Sequence, residues 1–181
     1  MNEAPATAPA GRRRFLKEFF AAGITLLLGL IPLGAGLAVF FDPVRRRSSV
    51  TGAVLVTTLD ALPNDGVPRQ FPIVTARVDA WNKSTAAPVG AVYLRRTRDG
   101  QLHALNVVCP HAGCFIDFLP ARDGFLCPCH NSSFTIDGAI RDRSSPAPRG
   151  MDSLPVEVRN GNEIWVTFQN FQTGRADRIP V

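Results

Sequence analysis

From Ala53 to the C-terminus the chain repeats one texture. Short apolar or alternating stretches, rich in β-branched and aromatic residues, are separated by turn-forming clusters. "AVLVTTL" (53–59), "FPIVTARV" (71–78), "VGAVYLRR" (89–96), "LHALNVV" (102–108), "LPVEV" (154–158) and "EIWVTFQN" (163–170) predict strands. The turns between them are Pro63-Asn64-Asp65-Gly66, Asp99-Gly100, Arg122-Asp123-Gly124, Asp137-Gly138 and Asn160-Gly161. Strands of this length at this spacing predict an antiparallel sandwich or barrel. The region contains no internal repeat and no long amphipathic helix. A domain of about 130 residues buries roughly two-thirds of its unfolded surface. It can fold without a metal, so a cofactor in it is functional rather than a structural staple.

Before Ala53 the pattern is different. Phe19–Phe41 reads "FFAAGITLLLGLIPLGAGLAVFF", 23 residues without a charge. As a helix it spans roughly 34 Å, enough for a bilayer core of about 30 Å. Pro32 and the glycines within it are better tolerated in membrane helices than in soluble ones. Gly36-Leu37-Ala38 has the small residues of a cleavage site. The run is longer than a cleaved signal's apolar region and continues to Phe41, so a retained anchor is expected. The first residues, "MNEAPATAPAG", predict disorder. The chain therefore divides into a tail (1–18), an anchor (19–41), a polar flexible linker (42–52, "DPVRRRSSVTG") and a β-rich domain (53–181).

Charge adds an orientation. The formal net charge is +5, from 20 Lys/Arg against 15 Asp/Glu. Much of the excess flanks the apolar run, as Arg12, Arg13, Arg14 and Lys17 before it and Arg45, Arg46 and Arg47 after it. This is membrane-flanking charge, and no aromatic-basic pattern supports a nucleic-acid partner. With Arg14 as the variable position, Arg12-Arg13-x-Phe15-Leu16-Lys17 resembles a twin-arginine export signal, with Gly11 where Ser or Thr is usual. Basic residues on both sides leave the positive-inside rule ambiguous. The export resemblance sets the tail in the cytoplasm and the domain outside.

The candidate chemistry is concentrated in two boxes, "CPHAGC" (109–114) and "CPCHNSSF" (127–134). They hold all four cysteines and two of the three histidines. Each box offers one Cys and one His in similar register, Cys109-x-His111 and Cys127-x-x-His130. Each also contains a further cysteine, Cys114 and Cys129. Two Cys and two His make a four-ligand set, and two remaining cysteines make a disulfide, which an exported domain can hold. Zinc is one occupant of such a set. Zinc-finger spacing, however, separates the cysteine pair from the histidine pair. Alternation within each box suits a two-iron cluster, one iron held by cysteines and the other by histidines.

Cys-x-His-x2-Cys followed by Cys-x-Cys-His resembles the Rieske [2Fe–2S] fingerprint, in the disulfide-containing form of quinol–cytochrome c oxidoreductases. The resemblance implies an all-β Rieske head with a cluster-binding part at about 103–150, tethered to one N-terminal transmembrane helix. It implies one [2Fe–2S] cluster per subunit, with Cys109 and Cys127 on the inner iron and His111 and His130 on the outer iron. Cys114–Cys129 would tie the two loops together. Ser132 falls where the family donates a hydrogen bond to a bridging sulfide. Phe134 falls where many high-potential members have a Tyr that bonds a ligand sulfur, and phenylalanine cannot donate. Asn131 stands where the second box usually has glycine. "SSPAPRG" (144–150) matches the family's proline-rich loop. His103 lies outside both boxes and reads as structural. Asp117 and Asp123 have no partner at a catalytic spacing.

The function implied is electron transfer in a cytochrome bc-type complex of the bacterial inner (cytoplasmic) membrane, the head lying on the periplasmic side. Quinol would contact His111 or His130, giving one electron to the cluster with release of a proton. The head would then swing on the 42–52 linker between cytochrome b-type and c-type subunits. The missing donor at Phe134 lowers the expected potential, which favours menaquinol over ubiquinol. Two alternatives remain at this point: the Rieske subunit of another exported oxidoreductase, such as arsenite oxidase, and a membrane-tethered zinc-binding module.

Overall fold

A computed structural model of the chain describes residues 11–45, 52–78 and 83–181. The expected disordered start (to residue 10) and residues 46–51 of the expected linker lie outside the described residues. The chain forms two compact units, Met1–Arg47 and Ser48–Val181.

The first unit is one helix, α1 (Arg12–Arg45). It contains the whole apolar run and continues past Phe41, so Asp42 to Arg45 of the expected linker are helical. Arg12–Asp42 is long and apolar enough to cross a membrane, with a hydropathy of 2.3 and none of its span buried. Its large side chains, among them Phe20, Leu28, Ile31 and Phe40, are exposed. A helix apolar on every side gains nothing from water, and lipid is the solvent it fits. Thr25 Oγ1 donates to the Ala21 carbonyl, so its hydroxyl is satisfied within the helix.

The second unit is built from β1 (Ala53–Thr58), β2 (Arg69–Val78), β3 (Lys83–Arg96), β4 (Leu102–Asn106), β5 (Asp117–Leu119), β6 (Gly124–Leu126), β7 (Ser133–Thr135), β8 (Val156–Arg159) and β9 (Glu163–Thr167). These form three antiparallel three-stranded sheets, ordered β1-β9-β8, β2-β3-β4 and β5-β6-β7. The expected all-β antiparallel architecture is present. Leu62, Ile73, Val92, Leu94, Ala104, Leu154, Ile164, Val166 and Phe168 make one core from the first two sheets and their connections. In β9, Ile164 and Val166 alternate inward between Glu163, Trp165 and Thr167, the two-residue period of a strand with one buried face.

Several boundaries differ from the sequence pattern for identifiable reasons. β3 begins six residues before the expected Val89. Pro88 lies inside it, opposite Val74, beside a register shift in β2. β4 pairs only with Val92–Arg96, so the Pro88 half of β3 has β2 alone as a neighbour and the missing N–H removes no second ladder bond. β5, β6 and β7 have three residues each. That is too short for a two-residue period to show. The Asn160-Gly161 signal holds: both residues have positive φ, 51° and 76°, and connect β8 to β9 as a tight hairpin turn requires.

Candidate metal centre

The small β5-β6-β7 sheet exists to present two loops. Loop 1 (109–114) joins β4 to β5, and loop 2 (127–132) joins β6 to β7. Their backbones close in the same way. In loop 1 the Cys109 N–H donates to the Cys114 carbonyl (2.8 Å) and the Gly113 N–H to the Cys109 carbonyl (2.9 Å). In loop 2 the Cys127 N–H donates to the Ser132 carbonyl (2.8 Å) and the Asn131 N–H to the Cys127 carbonyl (3.0 Å). The fifth residue of each loop is left-handed, Gly113 at φ 84° and Asn131 at φ 58°. Asparagine is among the few side chains that tolerate this region, which explains why Asn131 can stand where a glycine is usual. The chain thus carries a six-residue structural repeat, too short and too divergent to have been read as one from sequence.

The loops bring the expected residues together. Cys109 and Cys127 are free thiols, 0% and 1% exposed, inside a core with Tyr93, Val107, Ile116, Phe125 and Phe134. The His111 and His130 rings lie edge to face with centroids 4.8 Å apart. His111 is half-buried and His130 is exposed. Cys114 and Cys129 are joined by a disulfide, bridging the fully closed end of loop 1 to the middle of loop 2. The sulfurs of Cys114, Cys127 and Cys129 lie within 4.8 Å of one another. Two of these are committed to the bridge and offer no thiolate, so this trio is the disulfide resting over Cys127 and not a second metal site.

The residues present fit a two-iron group. Burial pushes the Cys109 thiol up, opposed by the His111 backbone N–H and the Ser132 hydroxyl, with neighbouring Cys127 pushing it further up. Two buried thiols side by side need a positive charge to ionise together, and iron supplies one. His111 Nδ1, Ser132 Oγ and Ser145 Oγ are all buried without a hydrogen-bond partner of good geometry. Such an atom left unsatisfied costs about 1–3 kcal/mol. His111 Nδ1 and Ser132 Oγ stand on the two loops that carry the free thiols, where a further polar group would satisfy them. Cys109, Cys127, His111 and His130 are the residues able to hold it, and Ser132 is the hydroxyl beside them. Phe134 is fully buried in the same core and brings no donor.

The walls come from residues outside the two boxes. Ala147 of the proline-rich segment is buried in the core that holds both free cysteines. Tyr93 of β3 donates its hydroxyl to the Ile116 carbonyl (3.0 Å) and accepts from the Phe118 N–H (3.2 Å), fixing the exit of loop 1. Burial raises the Tyr93 pKa, so it keeps its proton for that bond. Asn106, 1% exposed, accepts from the Val108 N–H and donates to the Gln169 carbonyl, fixing the entry. Tyr93 and Asn106 carry no local signal of this role in the sequence. Their partners lie 23 and 63 residues away. His103 is exposed on β4 opposite Arg95, and lines a separate cavity of about 150 Å³ with Tyr93, Arg95, Phe125 and Asp137. None of the four candidate ligands lines that cavity.

The sequence is similar to those of known proteins. A family profile described as the Rieske [2Fe-2S] domain matches residues 61–158. The chain is 30% identical over 160 residues to the menaquinol:cytochrome c reductase iron-sulfur subunit of Geobacillus thermodenitrificans, covering 83% of this chain and 87% of that one. It is 30% identical over 174 residues to the cytochrome b6-f complex iron-sulfur subunit of Microcystis aeruginosa, covering 91% and 90%. Among solved structures, the plasma membrane Rieske protein of Synechocystis superposes with a TM-score of 0.44 at 27% identity, covering 62% of this chain and 97% of that one. The matched segment contains both loops, the disulfide and the proline-rich segment, so the chain belongs to the Rieske family and its head is a [2Fe–2S] electron-transfer domain.

Proposed function

We propose that the chain is the iron-sulfur subunit of a cytochrome bc-type complex, oxidising quinol at the membrane surface and passing electrons to a c-type cytochrome. The observation that carries this reading is the graded exposure of the four candidate ligands. The two thiols are sealed in the core, His111 is half-buried, and His130 reaches the surface. Cys109 and Cys127 would hold one iron of the [2Fe–2S] group, and His111 and His130 the other. When bound, the [2Fe–2S] group supplies a one-electron store at about −150 to +300 mV, higher than all-cysteine clusters because imidazole replaces two thiolates.

The protein's own residues do the rest. The nitrogen of His130 or His111 facing away from the metal would first lose its own proton; in that deprotonated form it would accept a hydrogen bond from a quinol hydroxyl and take its proton as the quinol gives up an electron. The disulfide and the proline-rich segment keep water from the buried thiols. Phe15-Leu16-Lys17 behind Arg12-Arg13 serves export, α1 anchors the chain in the inner membrane, and the segment that follows α1 tethers a head on the periplasmic side. A tether lets one head serve a cytochrome b-type and a c-type partner in turn. The relatives matched include a menaquinol:cytochrome c reductase subunit, which supports this assembly.

Phe134 supports menaquinol as the quinone. A tyrosine there would donate a hydrogen bond to a ligand sulfur, and one such bond of about 1 kcal/mol moves a one-electron midpoint by roughly 40 mV. Its absence lowers the potential toward the range of menaquinol. Phe134→Tyr is therefore expected to raise the midpoint by that order in a redox titration. An unchanged midpoint removes the argument for menaquinol. The wider reading is tested in membranes containing the whole complex, by following reduction of the head after adding menaquinol or ubiquinol. Rapid reduction by menaquinol is expected. A head reduced by dithionite and by neither quinol would show that its electrons come from another donor.

A further inference from the structure

Residues after β9 fold back as a strap. The Gln172 N–H donates to the Ile179 carbonyl (2.8 Å), and Phe171 bridges to Pro180. The strap lies against loop 1. The Gly174 N–H donates to the carbonyl of Pro110 (2.8 Å), the residue before His111. The Thr173 methyl lies 3.7 Å from where a Cβ on Gly113 would be. Nothing in the strap belongs to either Cys-His box.

What holds the strap is a buried carboxylate. Asp152 is 4% exposed. It receives two bonds from Arg149 of the proline-rich segment, Nε at 2.9 Å and an Nη at 2.8 Å. The other Nη of Arg149 donates to the Arg175 carbonyl in the strap (2.5 Å). Arg178, in the strap itself, puts Nε 3.2 Å from Asp152, donates to the Ser153 carbonyl (2.6 Å), and covers the Phe171 ring at 4.6 Å. The Asp152 carbonyl in turn accepts from the Asn106 N–H (2.8 Å), and Asn106 fixes the entry to loop 1. Two guanidinium groups from two different covers thus converge on one buried anion. A buried carboxylate cannot let go of a partner cheaply, whereas exposed ion pairs contribute little.

We propose that Arg149, Asp152 and Arg178 form a clamp that locks the proline-rich segment to the C-terminal strap, and that the strap, through Gly174, holds loop 1 and the orientation of His111. Asp152 and Arg178 are then positioning residues. The clamp itself stands on contacts alone, while its bearing on quinol contact rests on the proposed role of His111.

The test is hydrogen–deuterium exchange on the full chain in detergent. Arg178→Ala is the variant of choice, because it removes the strap's own guanidinium from the clamp while leaving the Arg149–Asp152 pair intact. Removing Asp152 would strand a buried guanidinium and risk the fold. The clamp predicts exchange about tenfold faster in both 170–175 and loop 1, with loop 2 unchanged. Arg178→Lys should restore part of the protection, since it keeps the charge. Faster exchange confined to the strap would overturn the proposal. So would equal acceleration in both loops, which would be general destabilisation and not a clamp. Iron content of the unaltered chain is measured alongside. A chain without iron would undo the proposed function and leave the exchange result standing.

Discussion

Cys109→Ala is expected to give a folded head that carries no cluster. Cys109 is 0% exposed and shares its core with Cys127, Phe134 and Tyr93. Losing one sulfur from that core leaves a small cavity, costing about 1–2 kcal/mol by the volume removed. The second core, built on Ile73, Val92, Leu94, Ile164 and Val166, is untouched, as is the Cys114–Cys129 disulfide. The loss of chemistry is far larger than the loss of stability. Iron should fall from about two per chain to near zero, since a methyl group offers no ligand atom. Iron and sulfide analysis checks this beside circular dichroism, which should stay native. His103→Ala is the control: it is exposed, lies outside both loops, and should keep full iron. Retention of iron in Cys109→Ala would remove that cysteine from the ligand set.

Phe134→Ala acts in the opposite order, on stability first. Phe134 is fully buried on β7, pairs across the small sheet with Phe125, and bridges to Ile140. It therefore joins the strand that leaves loop 2 to the strand that enters it. Truncating a buried phenylalanine costs about 3–5 kcal/mol. For a domain of this size that corresponds to a fall in Tm of roughly 10 °C or more. The core being emptied is the one that seals the two thiols, so the variant should also lose iron faster on incubation with a chelator. Thermal unfolding and chelator kinetics read these separately. An unchanged Tm would mean that the small sheet is held by something other than this ring.

The two boxes were legible because their chemistry is local. Six residues of chain place each Cys and His, and the left-handed fifth position needs only Gly113 or Asn131. The long apolar helix was legible for the same reason, as a single uninterrupted apolar run. The strands around Val54, Ile73, Tyr93 and Ile164 followed from β-branched alternation and from turns such as Asn160-Gly161. What escaped was whatever depends on distant partners. Nothing in the neighbourhood of Asp152 announces that Arg178 will reach it, nor that Gly174 will bond the Pro110 carbonyl. Asn106 looks like a poor strand residue until Gln169 and Asn170 are seen beside it. The three-residue strands β5, β6 and β7 escaped for lack of length. The early start of β3 escaped because Pro88 argues against a strand unless the free side of β3 is known.

The most direct test of the central claim is the metal content and electron paramagnetic resonance of the full chain purified from membranes. About two irons and two acid-labile sulfides per chain are expected. A signal on reduction with nitrogen couplings from two histidines is also expected, lost in His111→Ala and His130→Ala. Zinc without iron or sulfide, or a cluster with no histidine coupling, would contradict the claim.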